Sequence, residues 1–386
     1  MSWRPSEHGT TLLRSQGMTS SPGPIGRFLH ALAAGLERDI DTIDSVIGAG
    51  EGRTDRVRML AYAGYRNDRI VRVSGRIVRY GKPLDAGEGM LSRMRAMLAI
   101  YDSKELPGIA VRCEGYGLTV DTVTDEEGYF RFELPAATPL PASTIWEQMT
   151  LSTPGREAQQ ERIKVPVLAP GTDNRWGVIS DIDDTLVETG ATDFIRNWRR
   201  VLVDRPQDRL AVPGAASLYG MIAGSHAEPV RPFFYVSSSP WNLYGFIAEF
   251  MELNRIPHGP MFLKDYGIDS GKLLGASHSA HKLAAIETIL GFYPGQRFLL
   301  IGDNGQHDVE IYREAVRTYP GRVGAVLIRD VGGHCREGAK ARLLAEIEAA
   351  GVPTFCGAGF DAAIEVVKAL DLESPAQIAR AAAAPA

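Results

Sequence analysis

The sequence predicts an α/β fold, a doubly wound parallel sheet, preceded by an antiparallel β-sandwich and an N-terminal helix. Three observations carry that prediction. Between residues 176 and 316 the runs WGVI, PFFYV and RFLLI are apolar throughout, and continuous apolar strands belong to parallel sheets buried on both faces. Residues 67–166 hold short alternating segments between Gly, Pro and Asp turns, the pattern of a sandwich. Residues 25–48 carry Phe28, Leu32, Leu36, Ile40, Ile43 and Ile47 at helical spacing.

In chain order, residues 1–24 are polar and rich in Ser, Gly and Pro, which predicts disorder. Residues 25–66 form the N-terminal helical segment. The polar face of its helix carries Glu37, Asp39, Asp41 and Asp44, which argues against anionic lipid. In 67–166 the segments RIVRVSGRIV, GIAVRCEG, GLTVDTV and EQMTLSTP read as strands, with a hairpin turn at Asp125–Gly128 ahead of Tyr129, Phe130 and Phe132. No paired carboxylates or catalytic cluster stand there, so this unit serves recognition, positioning or structural support. PVLAPGTDN at 166–174 reads as a linker into the unit spanning 167–372, and the Ala- and Pro-rich stretch 373–386 as a frayed tail.

Composition bounds the function. Lys+Arg 42 against Asp+Glu 47 gives a net charge of −5, without the basic excess that nucleic acid demands. No run approaches the roughly 20 apolar residues that span a bilayer, so a cytoplasmic protein with at most peripheral membrane contact is expected. Arg196, Trp198, Arg199 and Arg200 could seat on anionic lipid, or form a solvated helix face with one packed ring. Cys113, Cys335 and Cys356 are widely spaced and read as reduced and buried.

The chemistry is concentrated in VISDIDDTLVETG at 178–190. An apolar strand ends in Asp181, with a second carboxylate at Asp183 and a hydroxyl at Thr185. Residues two apart on an extended chain point the same way, so Asp181 and Asp183 can share one Mg2+, which lets a carboxylate approach an anionic phosphate. Three further elements follow. PFFYVSSSP delivers Ser237 at a strand end, with Ser238 and Ser239 behind it, where a hydroxyl and free backbone N–H groups can hold a phosphoryl oxygen. SHSAHKLAAIETIL places Lys282 near the start of a helix, able to neutralise nucleophile and phosphate. QRFLLIGDNGQHDVEIYREAV ends a strand at Gly302-Asp303 with Asp308 in the next turn, able to complete a metal shell. Singly, these are a turn-forming serine, a solvated lysine and an ordinary helix start. Together and in this order they describe a phosphoryl-transfer site. His307 reads as a surface or supporting residue and Asp184 as a loop-capping carboxylate.

These strings resemble the four motifs of the haloacid dehalogenase superfamily of phosphohydrolases. VISDIDDTLVETG, VSSSPWNLY, GPMFLKDYG and IGDNGQHDVEIY are more narrowly similar to the catalytic domain of the actin-patch-protein type phosphatidate phosphatases, over about residues 165–370. The resemblance implies a Mg2+-dependent phosphatase in which Asp181 attacks phosphorus and Asp183 protonates the leaving oxygen, then deprotonates water. It further implies that Ser237 and Lys282 stabilise the phosphoryl group. Asp181, Asp303 and the backbone carbonyl of Asp183 would hold the metal, with Asp308 supporting the shell directly or through water. Phosphatidate is the implied substrate. A soluble or protein-bound phosphomonoester, or a non-catalytic phospholipid-binding adaptor, remains the alternative. The inserts between Asp181 and Ser237 and between Ser237 and Lys282 are too short for a cap domain, which predicts an open site. The segment 67–166 is weakly similar to transthyretin-like and carboxypeptidase-regulatory-type sandwiches.

Overall fold

The computed structural model describes residues 57–79, 104–155, 162–173, 175–186, 212–224, 231–264, 278–370 and 372. The expected helix at 25–48, the Arg196–Arg200 cluster, both termini and much of the two inserts lie outside these residues.

The second unit is a six-stranded sheet, every pair parallel: β9 (Trp176–Asp181), β10 (Phe233–Pro240), β11 (Met261–Lys264), β12 (Arg297–Asp303), β13 (Val323–Arg329) and β14 (Thr354–Gly357). Their order is β11-β10-β9-β12-β13-β14. The chain therefore begins in the middle, builds outward to one edge, then returns to build the other. Between strands lie α1 (Ala215–Ile222), α2 (Tyr244–Leu253), α3 (His278–Phe292), α4 (Asp308–Thr318) and α5 (Gly338–Ala349), and α6 (Ala363–Lys368) follows β14. The apolar runs do what their composition dictates: Val178, Ile179, Phe233, Phe234, Phe298, Leu299, Leu300 and Ile301 are all buried.

The first unit is one eight-stranded sheet. Its strands are β1 (Val57–Arg66), β2 (Ile70–Arg79), β3 (Lys104–Glu105), β4 (Ala110–Gly115), β5 (Leu118–Val123), β6 (Tyr129–Pro135), β7 (Ile145–Ser152) and β8 (Ile163–Ala169). The path runs β3-β2-β1-β8-β7-β4-β5, and β6 also pairs with β2. Strands β5 and β6 sit toward opposite ends of that path yet are joined by the Asp125–Gly128 turn, so the sheet curls back on itself like a barrel. Gly128 has φ 81° there, which its missing Cβ permits.

Two boundaries differ from the sequence reading. Residues 57–66, assigned to a helical segment, form strand β1, because VRMLAYAGYR alternates buried and half-buried positions along its first half. Pro166–Ala169, assigned to a linker, belong to β8, whose apolar side chains are buried between β1 and β7. The β1–β8 pair is parallel, with Gly64 opposite Val167, a departure from an otherwise antiparallel sheet. The cysteines also depart from expectation. Cys335 and Cys356 form a disulfide with Cα atoms 6.5 Å apart. Cys356 lies on β14 opposite Ile328, and the chain leaving β13 folds back over that edge, a proximity that sequence separation conceals. Cys113 is buried, its thiol pushed up to about 12 by desolvation.

Strand β1 joins the units. Met59 and Ala61 face the core of the first sheet, while Tyr62 belongs to the core of the second unit. A register shift between Tyr62 and Tyr65 brings both rings to the same side. Tyr62 stacks on Trp241 with centroids 4.3 Å apart, and Tyr65 meets Phe292 edge-on at 5.0 Å. The Ala63 N–H donates to the Tyr244 hydroxyl at 2.9 Å, and Asn67 Nδ2 donates to the Phe292 carbonyl at 3.0 Å. Among the described residues no helix is long and apolar enough to cross a membrane.

Candidate active site

Parallel register fixes where Asp181 emerges. It lies level with Val236 on β10, while Ser180 lies level with Ile301 on β12. Asp181 therefore leaves the sheet where the strand order reverses, the crevice in which open α/β sheets bind ligands. Ser180 Oγ donates to the Asp181 carbonyl at 2.6 Å and lies 2.6 Å from the Tyr219 hydroxyl. Thr185 Oγ1 donates to Asp181 Oδ2 at 3.1 Å. The turn between them uses Asp184 at φ 55°, whose carbonyl accepts from Arg329 Nη1 at 2.5 Å.

Strand β10 supplies the partners of Asp183. Ser237 Oγ donates to Asp183 Oδ2 at 2.6 Å, and Ser239 Oγ lies 3.1 Å from Oδ1 and 3.4 Å from Oδ2. The Ser239 N–H donates to Ser237 Oγ at 2.8 Å. From α3, Lys282 Nζ sits 2.7 Å from Asp181 Oδ1 and 2.7 Å from Asp308 Oδ1. Asp308 opens α4, where a carboxylate suits the helix N-terminus, and its Oδ2 accepts the Asp303 N–H at 3.2 Å. Asp303 Oδ1 accepts from the N–H groups of Gly305 and Gln306, whereas buried Asp303 Oδ2 has no hydrogen-bond partner among the described residues. His307 is exposed, 3.8 Å from Glu310.

Gly302 permits this closeness. A Cβ there would lie 2.5 Å from the Tyr312 hydroxyl and closer still to Asp308 Oδ2. Gly302→Ala is therefore expected to push Asp308 off both Lys282 and the Asp303 N–H. A thermal melt should show destabilisation of about 1–3 kcal/mol, the usual cost of overpacking.

The site is strongly acidic and its side chains are buried. Asp181, Asp183, Asp303 and Asp308 are buried with Lys282 as their one buried ammonium among the described residues. Desolvation holds Asp181 well above the ordinary carboxylate range, reinforced by Asp308, Asp303 and Asp183 against the opposing pull of Lys282. Desolvation also raises Asp183, opposed by Ser237, and raises Asp303 to about 7, helped by Asp308. Burial disfavours the Lys282 charge, but Asp181 and Asp308 outweigh it and raise the ammonium above its ordinary value. Carboxylate oxygens of Asp181, Asp303 and Asp308 lie within 4.8 Å of one another. An excess of buried negative charge, an orphaned Asp303 oxygen and all-oxygen donors together fit a hard divalent cation. Both Asp308 oxygens are already engaged, and the Asp181 oxygens meet Lys282 and Thr185, so Asp303 Oδ2 offers the open position.

The structure thus gathers Asp181, Asp183, Thr185, Ser237, Lys282, Asp303 and Asp308 at one sheet end. Sequence reasoning gave no role to Ser239, although its period-two relation to Ser237 was a usable signal. It also missed Asn304, whose Nδ2 donates to Asp330 at 2.6 Å and whose Oδ1 accepts the Val331 N–H at 2.7 Å, bracing the loop beside Asp303.

Comparison with known proteins converges on this region. The family described as phosphatidate phosphatase APP1, catalytic domain, matches residues 176–330. Phosphatidate phosphatase APP1 of Saccharomyces cerevisiae is 33% identical over 153 residues, covering 40% of this chain and 25% of the yeast protein. An uncharacterized protein of Schizosaccharomyces pombe is 27% identical over 169 residues, covering 44% of this chain and 27% of that protein. The matches thus span about a quarter of each relative's length. A carbohydrate acetylesterase from Xanthomonas citri overlaps at TM-score 0.29 and 11% identity, over 76% of this chain and 66% of the esterase, too weak a likeness to bear on fold or activity. The segment that carries Asp181, Ser237, Lys282 and Asp303 is thus similar to the APP1-type phosphatidate phosphatase catalytic domain.

Proposed function

We propose that the protein is a Mg2+-dependent phosphomonoesterase working through an aspartyl-phosphate, with phosphatidate as its leading substrate. The observation that carries this reading is the buried cluster of Asp181, Asp303 and Asp308 around Lys282, inside the family-matched segment. The strand order supports a haloacid dehalogenase-like, doubly wound core, and the curled first sheet is read as its β-sandwich companion.

In this mechanism an Asp181 oxygen forms a bond to phosphorus as the bond from phosphorus to the leaving oxygen breaks. The departing electron pair takes the proton of the Asp183 carboxyl, whose affinity for that proton is raised by burial. Asp183 then removes a proton from the water that attacks the aspartyl-phosphate, releasing phosphate and restoring Asp181. Ser237 and Lys282 hold phosphoryl oxygens, and Thr185 orients Asp181. Mg2+, held by Asp181, Asp303 and the Asp183 backbone carbonyl with Asp308 behind, would neutralise charge between carboxylate and phosphate. A phosphatidate head group lies at a membrane surface, so this substrate brings peripheral membrane contact with it.

The test is phosphate release from phosphatidate mixed micelles and from a panel of soluble phosphomonoesters. Phosphatidate is expected to be preferred, with activity lost on chelation and restored by Mg2+. Asp303→Asn should raise the Mg2+ concentration for half-activity at least about tenfold, as loss of one ligand does. Preference for a soluble ester would replace the substrate while keeping the chemistry. Liposome binding without phosphate release would instead identify an adaptor.

A further inference from the structure

Ser237 is asked to do two things at once. A serine hydroxyl has one proton, and in this structure it is donated to Asp183 Oδ2 at 2.6 Å. Phosphoryl oxygens only accept, so binding one requires that proton to leave Asp183. The Asp183 carboxyl is buried, and without a replacement donor it would lose its shortest bond when substrate arrives. Ser239 is that replacement. Its Oγ lies within reach of both Asp183 oxygens, at 3.1 and 3.4 Å, and it is itself buried. Its backbone N–H meanwhile donates to Ser237 Oγ at 2.8 Å. That bond uses a lone pair of Ser237, so it persists whichever way the Ser237 proton turns.

We propose that Ser239 is a positioning residue that keeps the Asp183 carboxyl aimed at the leaving oxygen while Ser237 turns to the phosphoryl group. Two hydroxyls on one strand face thereby divide proton-donor orientation from phosphate binding. The inference rests on the phosphatase reading above, with Asp183 as proton donor. In the step concerned, the Asp181 carboxylate bonds to phosphorus, the phosphorus–oxygen bond to the leaving group breaks, and the proton passes from one Asp183 oxygen to the leaving oxygen. The other Asp183 oxygen accepts from Ser239.

Leaving-group dependence distinguishes this role from a structural one. An alkoxide needs the proton, whereas p-nitrophenolate departs without it. We expect Ser239→Ala in the full chain to lower kcat/KM for phosphatidate in mixed micelles on the order of 10^2-fold, the scale of general acid catalysis, but that for p-nitrophenyl phosphate in the same micelles by less than about threefold. KM should hold, and Ser239→Thr, which keeps the hydroxyl, should recover most of the loss. Ser237→Ala should depress both substrates and raise KM. Equal losses on both substrates for Ser239→Ala, no loss on phosphatidate, or no recovery in Ser239→Thr would overturn the proposal. If wild type turns over one of the pair only, its kcat on that substrate and the Ser239→Thr recovery decide the matter. Failure of the underlying reading looks different: wild type is silent on both, or Asp181→Asn is as active as wild type.

Discussion

Asp181→Asn should abolish phosphate release, with turnover falling by about 10^4-fold or more, as removal of a covalent nucleophile does. The protein should remain folded. Lys282 keeps its 2.7 Å partner Asp308, and the substitution removes one of four crowded buried carboxylates rather than adding a charge. The amide can still accept from Thr185, so the loop after β9 is retained. Acid quenching during turnover should trap covalent phosphate on the wild-type protein, labile to hydroxylamine as acyl phosphates are, and none on Asp181→Asn. Comparable turnover in the variant would remove Asp181 from the mechanism.

Lys282→Met should damage both activity and stability. The ammonium is buried and bridges Asp181 and Asp308, so its removal leaves two carboxylates facing each other without a counter-charge. Breaking a buried pair by removing one partner costs about 3–5 kcal/mol, a fall in Tm on the order of 10 °C for a chain of this size. Turnover should drop about 10^2- to 10^3-fold through lost phosphoryl stabilisation. The sign of the pH dependence follows from the carboxylates. A folded-state value raised above the unfolded one costs stability fully above the raised value, and that cost disappears below the unfolded value. The stability gap between Lys282→Met and wild type, measured by thermal melts without divalent cation, should therefore narrow as pH falls from neutrality through the ordinary carboxylate range. A gap that widens on acidification would mean that Lys282 is not held by these carboxylates.

Local pattern made the parallel sheet and its site legible. The strands carrying Asp181, Ser237 and Asp303 are apolar runs that stop at a polar residue, and each polar residue sits at the carboxyl end as that pattern requires. What the pattern hid depends on distant chain. The strand character of Val57–Arg66 was weak because Ala61 and Tyr62 are both buried, on opposite faces and in different cores. Pro166 disguised β8 as a linker, since proline usually marks loops. Cys335 and Cys356 are 21 residues apart, and only the β13–β14 pairing brings them together. The acidity of the site was visible in composition, but the unequal engagement of its oxygens, free on Asp303 and spent on Asp308, depends on Gly302 allowing the close approach.

The Tyr62–Trp241 stack and the Ala63–Tyr244 hydrogen bond bear on how the second unit can be moved or inherited. Trp241 and Tyr244 lie immediately beyond the Ser237–Pro240 strand end, yet what covers them comes from residues ahead of the family-matched segment. That segment is therefore no free-standing cassette. Grafted behind a different leading domain, it would bring an uncovered aromatic face beside strand β10, and the new neighbour would need to supply an aromatic strand of its own. Lineages that exchange the leading domain should show compensating change at Trp241 and Tyr244 before any at Asp181 or Lys282.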